Sequence, residues 1–453
     1  MNRALHREDF GDNLINDYLN VFSTYSFKNE LYGKISLHVL IGQALKNVYY
    51  RMGSRVIDVR VHLLLIKPQG TGKGAGYGFV ERMATALGLR FESLTEATDA
   101  GLIGSVQYDP IQKKNVLTEG LLKTADIVGM EEADVLFDLS NDFSRKGMTY
   151  FQIAMNPLND ESCTLTKQLS TQKIQFKPHA SLVLCSYPPD SLVDKLLKTG
   201  FIDRIIPIFE DVTLADRLEV IKKMSENINI STRDSFAEQF NDVYERLQAV
   251  INNFSAKTNP VEINISQKIH SLILQVIDEF AMKILDASPK AREKLEHFIS
   301  RMYETLLKLS IHHALLSYRQ NVEVVDVLYA RLTYMPIWRN LIISVESLLI
   351  ISPIEKSRRH RIIRQSIEEF DRQAKVGKYV KKDKTGVWVR RLTMVENLQH
   401  KWDSCSRDTA DNNLYKLEKV SLSYSKVTRY EKDKYFERKY FGDTAYLRKI
   451  KDV

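Results

Sequence analysis

The chain has 453 residues, 44% hydrophobic and 27% charged, with a formal net charge of +8. That length leaves room for two or three domains and an ample core, and the composition is that of an ordinary soluble protein rather than a fibrous or disordered one. Its three cysteines, Cys163, Cys185 and Cys405, are too few and too scattered for a disulfide framework or a zinc knuckle, which points to a reducing, cytoplasmic setting inside the cell.

No apolar stretch approaches membrane-spanning length. The longest candidate, Leu341 to Ile351, is interrupted by Ser344, Glu346 and Ser347, so no membrane partner is expected. The first ten residues lack an apolar core after their basic residues and do not read as a secretory signal.

Residues 12–57 are predicted to be helical, because Leu37, Leu40, Ile41, Ala44, Leu45, Val48 and Met52 recur at helical spacing. This N-terminal helical segment, residues 1–57, is expected to pack on the core and to carry no chemistry. Val59 to Ile66 then reads as a buried strand. It breaks at Pro68 into Gln69-Gly70-Thr71-Gly72-Lys73-Gly74, and a helical pattern resumes from Tyr77 to Leu87. Strand, glycine loop, lysine and helix together make a phosphate cradle. Glycines turn backbone N–H groups toward an anion, the helix N-terminus adds its dipole, and the lysine supplies full charge. The plainer alternative is a glycine-rich surface turn. The loop departs from the standard pattern twice: Lys67 stands where the first glycine is expected, and Gly74 stands where a serine or threonine is expected.

Further along, Ile127-Val-Gly-Met130 is an apolar run that ends in Glu131 and Glu132. A strand that delivers two carboxylates to a sheet edge suits a nucleotide motor. Glu131 would position a metal ion, and Glu132 would polarise the attacking water. Cys163 to Phe176 reads as a hairpin with Lys167 and Lys173 around a polar tip, either for DNA phosphates or as a plain two-stranded connection. Helical patterns fill Leu214 to Asn253, Ile265 to Leu285 and Arg292 to Ile350. His312 and His313 read as packing or surface residues, and Pro353 as a boundary.

The charge is unevenly spread. Residues 357–453 hold 25 Lys and Arg against 14 Asp and Glu, a balance of +11 that leaves −3 for residues 1–356. A terminal nucleic-acid-binding module gives this asymmetry, as does a solvated basic tail. The tail reads as a helix (Ser357 to Ala374), a basic turn (Lys378 to Lys384), a strand (Gly386 to Val389) and a helix (Leu392 to Trp402). A third helix, Arg407 to Leu417, is capped by Ser406, and a β-wing follows from Ser421 to Phe441. That order is a winged helix. Arg407, Asn412, Asn413 and Lys416 then fall on the recognition helix, while Lys426, Arg429, Lys432 and Lys434 fall on the wing, facing DNA. Use of the same fold for protein contacts is the alternative.

From Gly101 to Leu136 the chain resembles the minichromosome maintenance (MCM) group of AAA+ replicative helicases. The resemblance rests on Gly101-Leu-Ile-Gly, Asp109-Pro110, Leu117-Thr-Glu-Gly-Leu-Leu and Met130-Glu-Glu-Ala-Asp. It continues in order through Ile153 to Phe176, which is similar to the family's pre-sensor hairpin, and Ala180 to Pro188, similar to its sensor-1 strand. Gly200-Phe-Ile-Asp-Arg204 and the segments from Ser300 to Ala314 and Val322 to Ala330 complete it, the last two resembling the helical lid.

With the C-terminal winged-helix DNA-binding domain (353–453) read from the tail pattern, the resemblance implies an α/β fold: an AAA+ P-loop ATPase core (58–212) and a helical lid region (213–352). It implies ATP and Mg2+ as cofactors, with Lys73 and the backbone of Gly70, Thr71, Gly72, Lys73 and Gly74 around the phosphates. Arg204 would be the arginine finger, reaching the nucleotide of a neighbouring subunit in a homo-oligomeric ring, a hexamer, and Arg301 would be the second sensor on the lid. Glu131 stands where the family has an aspartate and gives it a longer arm, Tyr187 stands where the family has a sensor asparagine, and Ser186 beside it is the substitute. The expected function is an ATP-dependent DNA motor, a ring-forming replicative helicase of a virus, plasmid or other mobile element in a prokaryotic host. The alternatives are an initiator or loader that melts or marks an origin, and a non-hydrolysing ATP-gated DNA-binding regulator.

Overall fold

A five-stranded parallel sheet positions the glycine loop with Lys73, the acidic pair Glu131 and Glu132, Ser186 and Arg204. In the computed structural model the described residues are 13–26, 29–96, 98–109, 114–137, 142–168, 173–187, 200–210, 218, 220–222, 230–255, 260–376, 380–383, 386–401, 418–420, 436–441 and 444–449. The chain divides into two compact units, Met1–Leu348 and Leu349–Val453.

The first unit opens with helices α1 (Asn13–Tyr25) and α2 (Glu30–Ala44). Buried residues occur all round α2, from Tyr32 and Ile35 to Ile41, as an element enclosed on every side requires. Residues 48–58 are not helical as expected. They form an antiparallel hairpin of β1 (Val48–Met52) and β2 (Arg55–Asp58), turning at Gly53 with φ 62°. Val48 and Met52 continue the helical spacing by coincidence. The run Val48-Tyr49-Tyr50 is β-branched and aromatic, and a glycine in the left-handed region makes the tight turn.

The predicted strand from Val59 is confined to β3 (Leu63–Ile66), and helix α3 (Lys73–Ala86) begins four residues earlier than its periodicity suggested. Next come β4 (Phe91–Ser93), α4 (Asp99–Ile103), the hairpin β5 (Gly104–Asp109) and β6 (Lys114–Glu119), α5 (Leu121–Thr124) and β7 (Ile127–Met130). Helix α6 (Asp142–Ala154), the hairpin β8 (Leu165–Gln168) and β9 (Lys173–Phe176), β10 (Ser181–Ser186) and β11 (Ile206–Phe209) complete the α/β part.

The sheet order is β11–β3–β10–β7–β4, every pair parallel. All residues of β3, β7, β10 and β11 are buried, which explains their unbroken apolar runs. Each fully buried leucine of β3 contributes about 1.5–3 kcal/mol. Because the strands are parallel, their carboxyl ends share one edge, where open α/β sheets bind ligands. Helices α1 and α2 pack on α3 through Tyr18, Phe22, Tyr32 and Phe79, whose rings meet edge to face at 5.2–5.6 Å.

Helix Ile230–Ser255, the short strand β12 (Val261–Glu262), which pairs in parallel with β1, and helices Gln267–Ile284 and Pro289–Leu316 follow. The predicted helix from Arg292 to Ile350 is interrupted at residues 317–323, where Tyr318 takes φ 57° and Asp326 accepts hydrogen bonds from the Glu323 N–H and the Arg319 guanidinium. The next helix, Val324–Val376, runs through Pro353 without ending, so the expected boundary at that residue is not a helix end. A proline deletes one N–H of the ladder, and the turns on either side keep theirs. The division between units falls within this helix, at Leu348 and Leu349.

In the second unit the sheet order is β13 (Val380–Asp383), β14 (Gly386–Arg390), β17 (Thr444–Lys449), β16 (Phe436–Phe441) and β15 (Glu418–Val420). The pair β15–β16 is parallel and the rest antiparallel. Helix Arg391–Lys401 packs on β14 and β17, and Val389, Met394, Val395, Leu398 and Leu447 are buried. The predicted basic turn therefore contains a strand, and the described hairpin at 436–449 overlaps the predicted wing at Phe436–Phe441 and continues beyond it. The third helix and residues 421–435 lie outside the described residues. Among those that are described, no helix is long and apolar enough to cross a membrane.

Candidate functional site

The loop between β3 and α3 is held from behind. Lys67 is buried and pairs with Glu210 at the end of β11, Nζ to Oε2 2.6 Å, and with the Asn29 side chain. Asn29 donates in turn to the Thr71 carbonyl at 3.3 Å and to the Ser26 hydroxyl at 2.8 Å, and Ser26 donates to the Gly72 carbonyl at 2.9 Å. These bonds tie two loop carbonyls to the segment between α1 and α2. Gly70 and Gly72 take φ of 71° and 75°, which side chains disfavour. Gly72 is the N-cap of α3 and offers no side-chain cap, so the first N–H groups of a 14-residue helix have no capping side chain.

Lys73 is the first residue of that helix. It is only 5% exposed, and its Nζ has no hydrogen-bond partner among the described residues. The ammonium lies 3.5 Å from the centroid of the Tyr187 ring. Burial pushes its pKa below the usual lysine range, against the opposing pull of Cys185, Glu131, Asp134 and Glu132. A buried, unpartnered cation at a helix N-terminus, behind a glycine loop, is the fit an anionic phosphate needs.

Glu131 and Glu132 follow the last residue of β7, one strand removed from β3, with β10 between. Both are exposed at the sheet edge. A Cβ on residue 74 would overlap Glu131 Oε1, so Glu131 reaches the first turn of α3. The Tyr187 hydroxyl lies 3.4 Å from Glu132 Oε1 and donates to it. Ser186 is fully buried and donates to the Tyr187 carbonyl at 3.0 Å, so the group beside Glu132 is the phenol. Asp134 Oδ1 is another buried atom without a partner among the described residues. No family model matches the chain, and no curated protein matches it either. The reading of this edge therefore rests on its geometry.

Arg204 and Arg301 meet at the opposite edge. Arg204 closes a 3-10 turn just before β11, where the Ile206 N–H donates to the His62 carbonyl. Its Nη1 donates to the Gly200 carbonyl at 2.7 Å and its Nε to Asn156 Oδ1 at 3.3 Å. Arg301, on helix Pro289–Leu316, is 37% exposed and lies 3.8 Å from Glu304 Oε2. The two line one pocket with Arg60, Asn156, Asp203 and Lys308. Burial, and then the charge of Arg301, lower the Arg204 pKa. Four strand residues, on the order of 13 Å, separate this edge from the loop, so these arginines do not reach the Lys73 of their own subunit.

Lys167 is largely buried. Its Nζ donates to the Gly104 carbonyl at 3.2 Å and lies 3.5 Å from Asp99 Oδ2, which ties it to its own subunit. Lys173 is exposed across the hairpin, and the tip between them lies outside the described residues. Arg407, Asn412, Asn413, Lys416, Lys426 and Arg429 also lie outside them. The sequence reading missed Ser26 and Asn29 as supports of the loop. Their only local signal is that of polar residues between two helices, and the loop they hold is some 40 residues away in the chain.

Proposed function

We propose that this chain is an ATP-dependent DNA motor of AAA+ type, similar to MCM helicases, that works as a homo-oligomeric ring. The observation that carries the reading is the buried Lys73 ammonium at the start of α3, with no hydrogen-bond partner among the described residues and within the electrostatic reach of Glu131 and Glu132. In this reading Lys73 binds the β- and γ-phosphates, and the N–H groups of residues 70–74 surround them. Glu131 would hold Mg2+, which when bound neutralises phosphate charge. Glu132 accepts hydrogen bonds from the attacking water and takes its proton, with the Tyr187 phenol orienting the carboxylate.

Arg204 and Arg301, at the far edge of the sheet, serve the nucleotide of a neighbouring copy. A residue lent head to tail calls for a closed ring, and an arginine finger contributes on the order of 10³–10⁵ in rate. The chain order β14, helix Arg391–Lys401, β16, β17, with β17 between β14 and β16, supports a winged helix in the basic second unit. DNA is then the partner of this second unit and of the exposed Lys173.

The decisive test is steady-state ATPase with and without single-stranded DNA. DNA-stimulated turnover that is abolished in Lys73→Ala supports the motor, and wild-type protein that neither binds nor hydrolyses ATP refutes it. A strand-displacement assay separates a helicase from an initiator or loader. One observation favours a second reading, the ATP-gated binder. The side chain beside Glu132 is a tyrosine, and the Ser186 hydroxyl is already bonded to a carbonyl. ATP binding without turnover identifies it.

A further inference from the structure

One departure from the expected loop pattern, Gly74, meets Glu131 in space. Gly74 lies in the first turn of α3 and takes no positive φ, so its backbone does not call for glycine. What the glycine supplies is room. A Cβ at residue 74 would overlap Glu131 Oε1, with Glu131 Cδ at 3.4 Å and Oε2 at 4.0 Å. A serine hydroxyl would project from that same Cβ, into the volume the Glu131 carboxylate occupies. Residue 131, in turn, is one methylene longer than the aspartate of the family pattern. The missing side chain and the extra methylene are complementary.

We infer that Gly74 and Glu131 form one compensated unit: the Glu131 carboxylate takes the place of the loop hydroxyl as the chain's oxygen ligand for the divalent cation that accompanies the nucleotide, and residue 74 is glycine to admit it. This rests on the nucleotide reading above. Among the described residues no group of three or more His, Cys, Asp or Glu could hold a metal ion. One carboxylate beside phosphate oxygens and waters is the ligand set Mg2+ uses at phosphate sites. Exchanging a neutral hydroxyl for an anion has a consequence. Without the cation, the carboxylate repels the phosphates, so nucleotide binding depends more steeply on Mg2+ than it does with a hydroxyl.

The overlapping atom is the far end of an exposed, flexible side chain, so Gly74→Ala folds and displaces the carboxylate. The experiment measures binding of a fluorescent ATP analogue to the full chain across a Mg2+ series, with Mn2+ electron paramagnetic resonance reporting the bound ion directly. Gly74→Ala and Glu131→Ala are each expected to lose about tenfold or more of the Mg2+-dependent affinity. The double alanine variant should be no worse than either single, because both remove one interaction. Gly74→Ser combined with Glu131→Asp should recover most of the loss, since it restores the hydroxyl–aspartate pair. Wild-type Mg2+ dependence in Gly74→Ala, or additive losses in the double variant, overturns the inference. Tight nucleotide binding indifferent to Mg2+ in the wild type overturns it while leaving the nucleotide site standing. No binding under any condition removes both.

Discussion

Replacing Lys73 with methionine keeps the aliphatic stem and deletes the ammonium. In the structure that ammonium is 5% exposed and lacks a hydrogen-bond partner among the described residues. A buried unsatisfied donor costs about 1–3 kcal/mol, and more when charged. The positive end of the α3 dipole adds about 0.5 kcal/mol of repulsion. The Tyr187 ring, with its centroid 3.5 Å away, offsets part of this, by about 1 kcal/mol. Lys73→Met should therefore stabilise the nucleotide-free protein by about 1–2 kcal/mol, or about 2–4 °C in a thermal melt. ATP at 100 times Kd stabilises the wild type by about 2.7 kcal/mol and should leave the variant unmoved. Melting curves of the two proteins with and without ATP should thus cross in rank: variant higher without nucleotide, lower with it. A variant that melts several degrees below wild type without ATP would show that the ammonium is structural. An equal ATP shift in both proteins would show that it binds no phosphate.

Other outcomes follow from the same structure. Burial holds His38, His62 and His312 neutral, with His312 lowered to about 3. Below pH about 6.5 the unfolded chain takes up protons that the folded one refuses, so stability should fall on acidification by about 1.4 kcal/mol per pH unit per histidine. Urea titrations between pH 7 and 4 read the slope, and His312→Gln should flatten it. Arg60 is 1% exposed and bonded to Asp58, whose carboxyl it helps hold below the usual range against burial. Asp58→Ala and Arg60→Ala should each cost about 3–5 kcal/mol in urea unfolding, and the double variant less than their sum. Asn29→Ala cuts the links from Lys67 and Thr71, and should weaken ATP binding about tenfold, which calorimetry would measure. Unchanged affinity would show that the loop holds its own shape.

The elements that were legible in the chain are those whose local chemistry admits one answer. Unbroken apolar runs such as Leu63–Ile66 and Ile127–Met130 have no amphipathic alternative, and they are buried parallel strands. Gly70 and Gly72 announced a loop with left-handed residues, and Lys73 and the acidic pair could be proposed from their positions relative to those strands. Helical spacing carried too far at Val48 and Met52, because periodicity over two turns cannot separate a helix end from a strand start. Pro353 read as a stop because a proline's effect on a helix depends on the turns around it.

By itself, then, the sequence determined the buried strands, the loop and the charged groups available to chemistry. Only the tertiary structure decided which of them meet. Parallel pairing brings Lys73, Glu131, Glu132 and Tyr187 to one edge and leaves Arg204 and Arg301 at the other. Ser26 and Asn29 reach the loop across some 40 residues of chain, and Glu131 fills the space left by Gly74. Contacts between residues far apart in the chain depend on sheet order and on volumes that exist only after folding, and no local spacing encodes them.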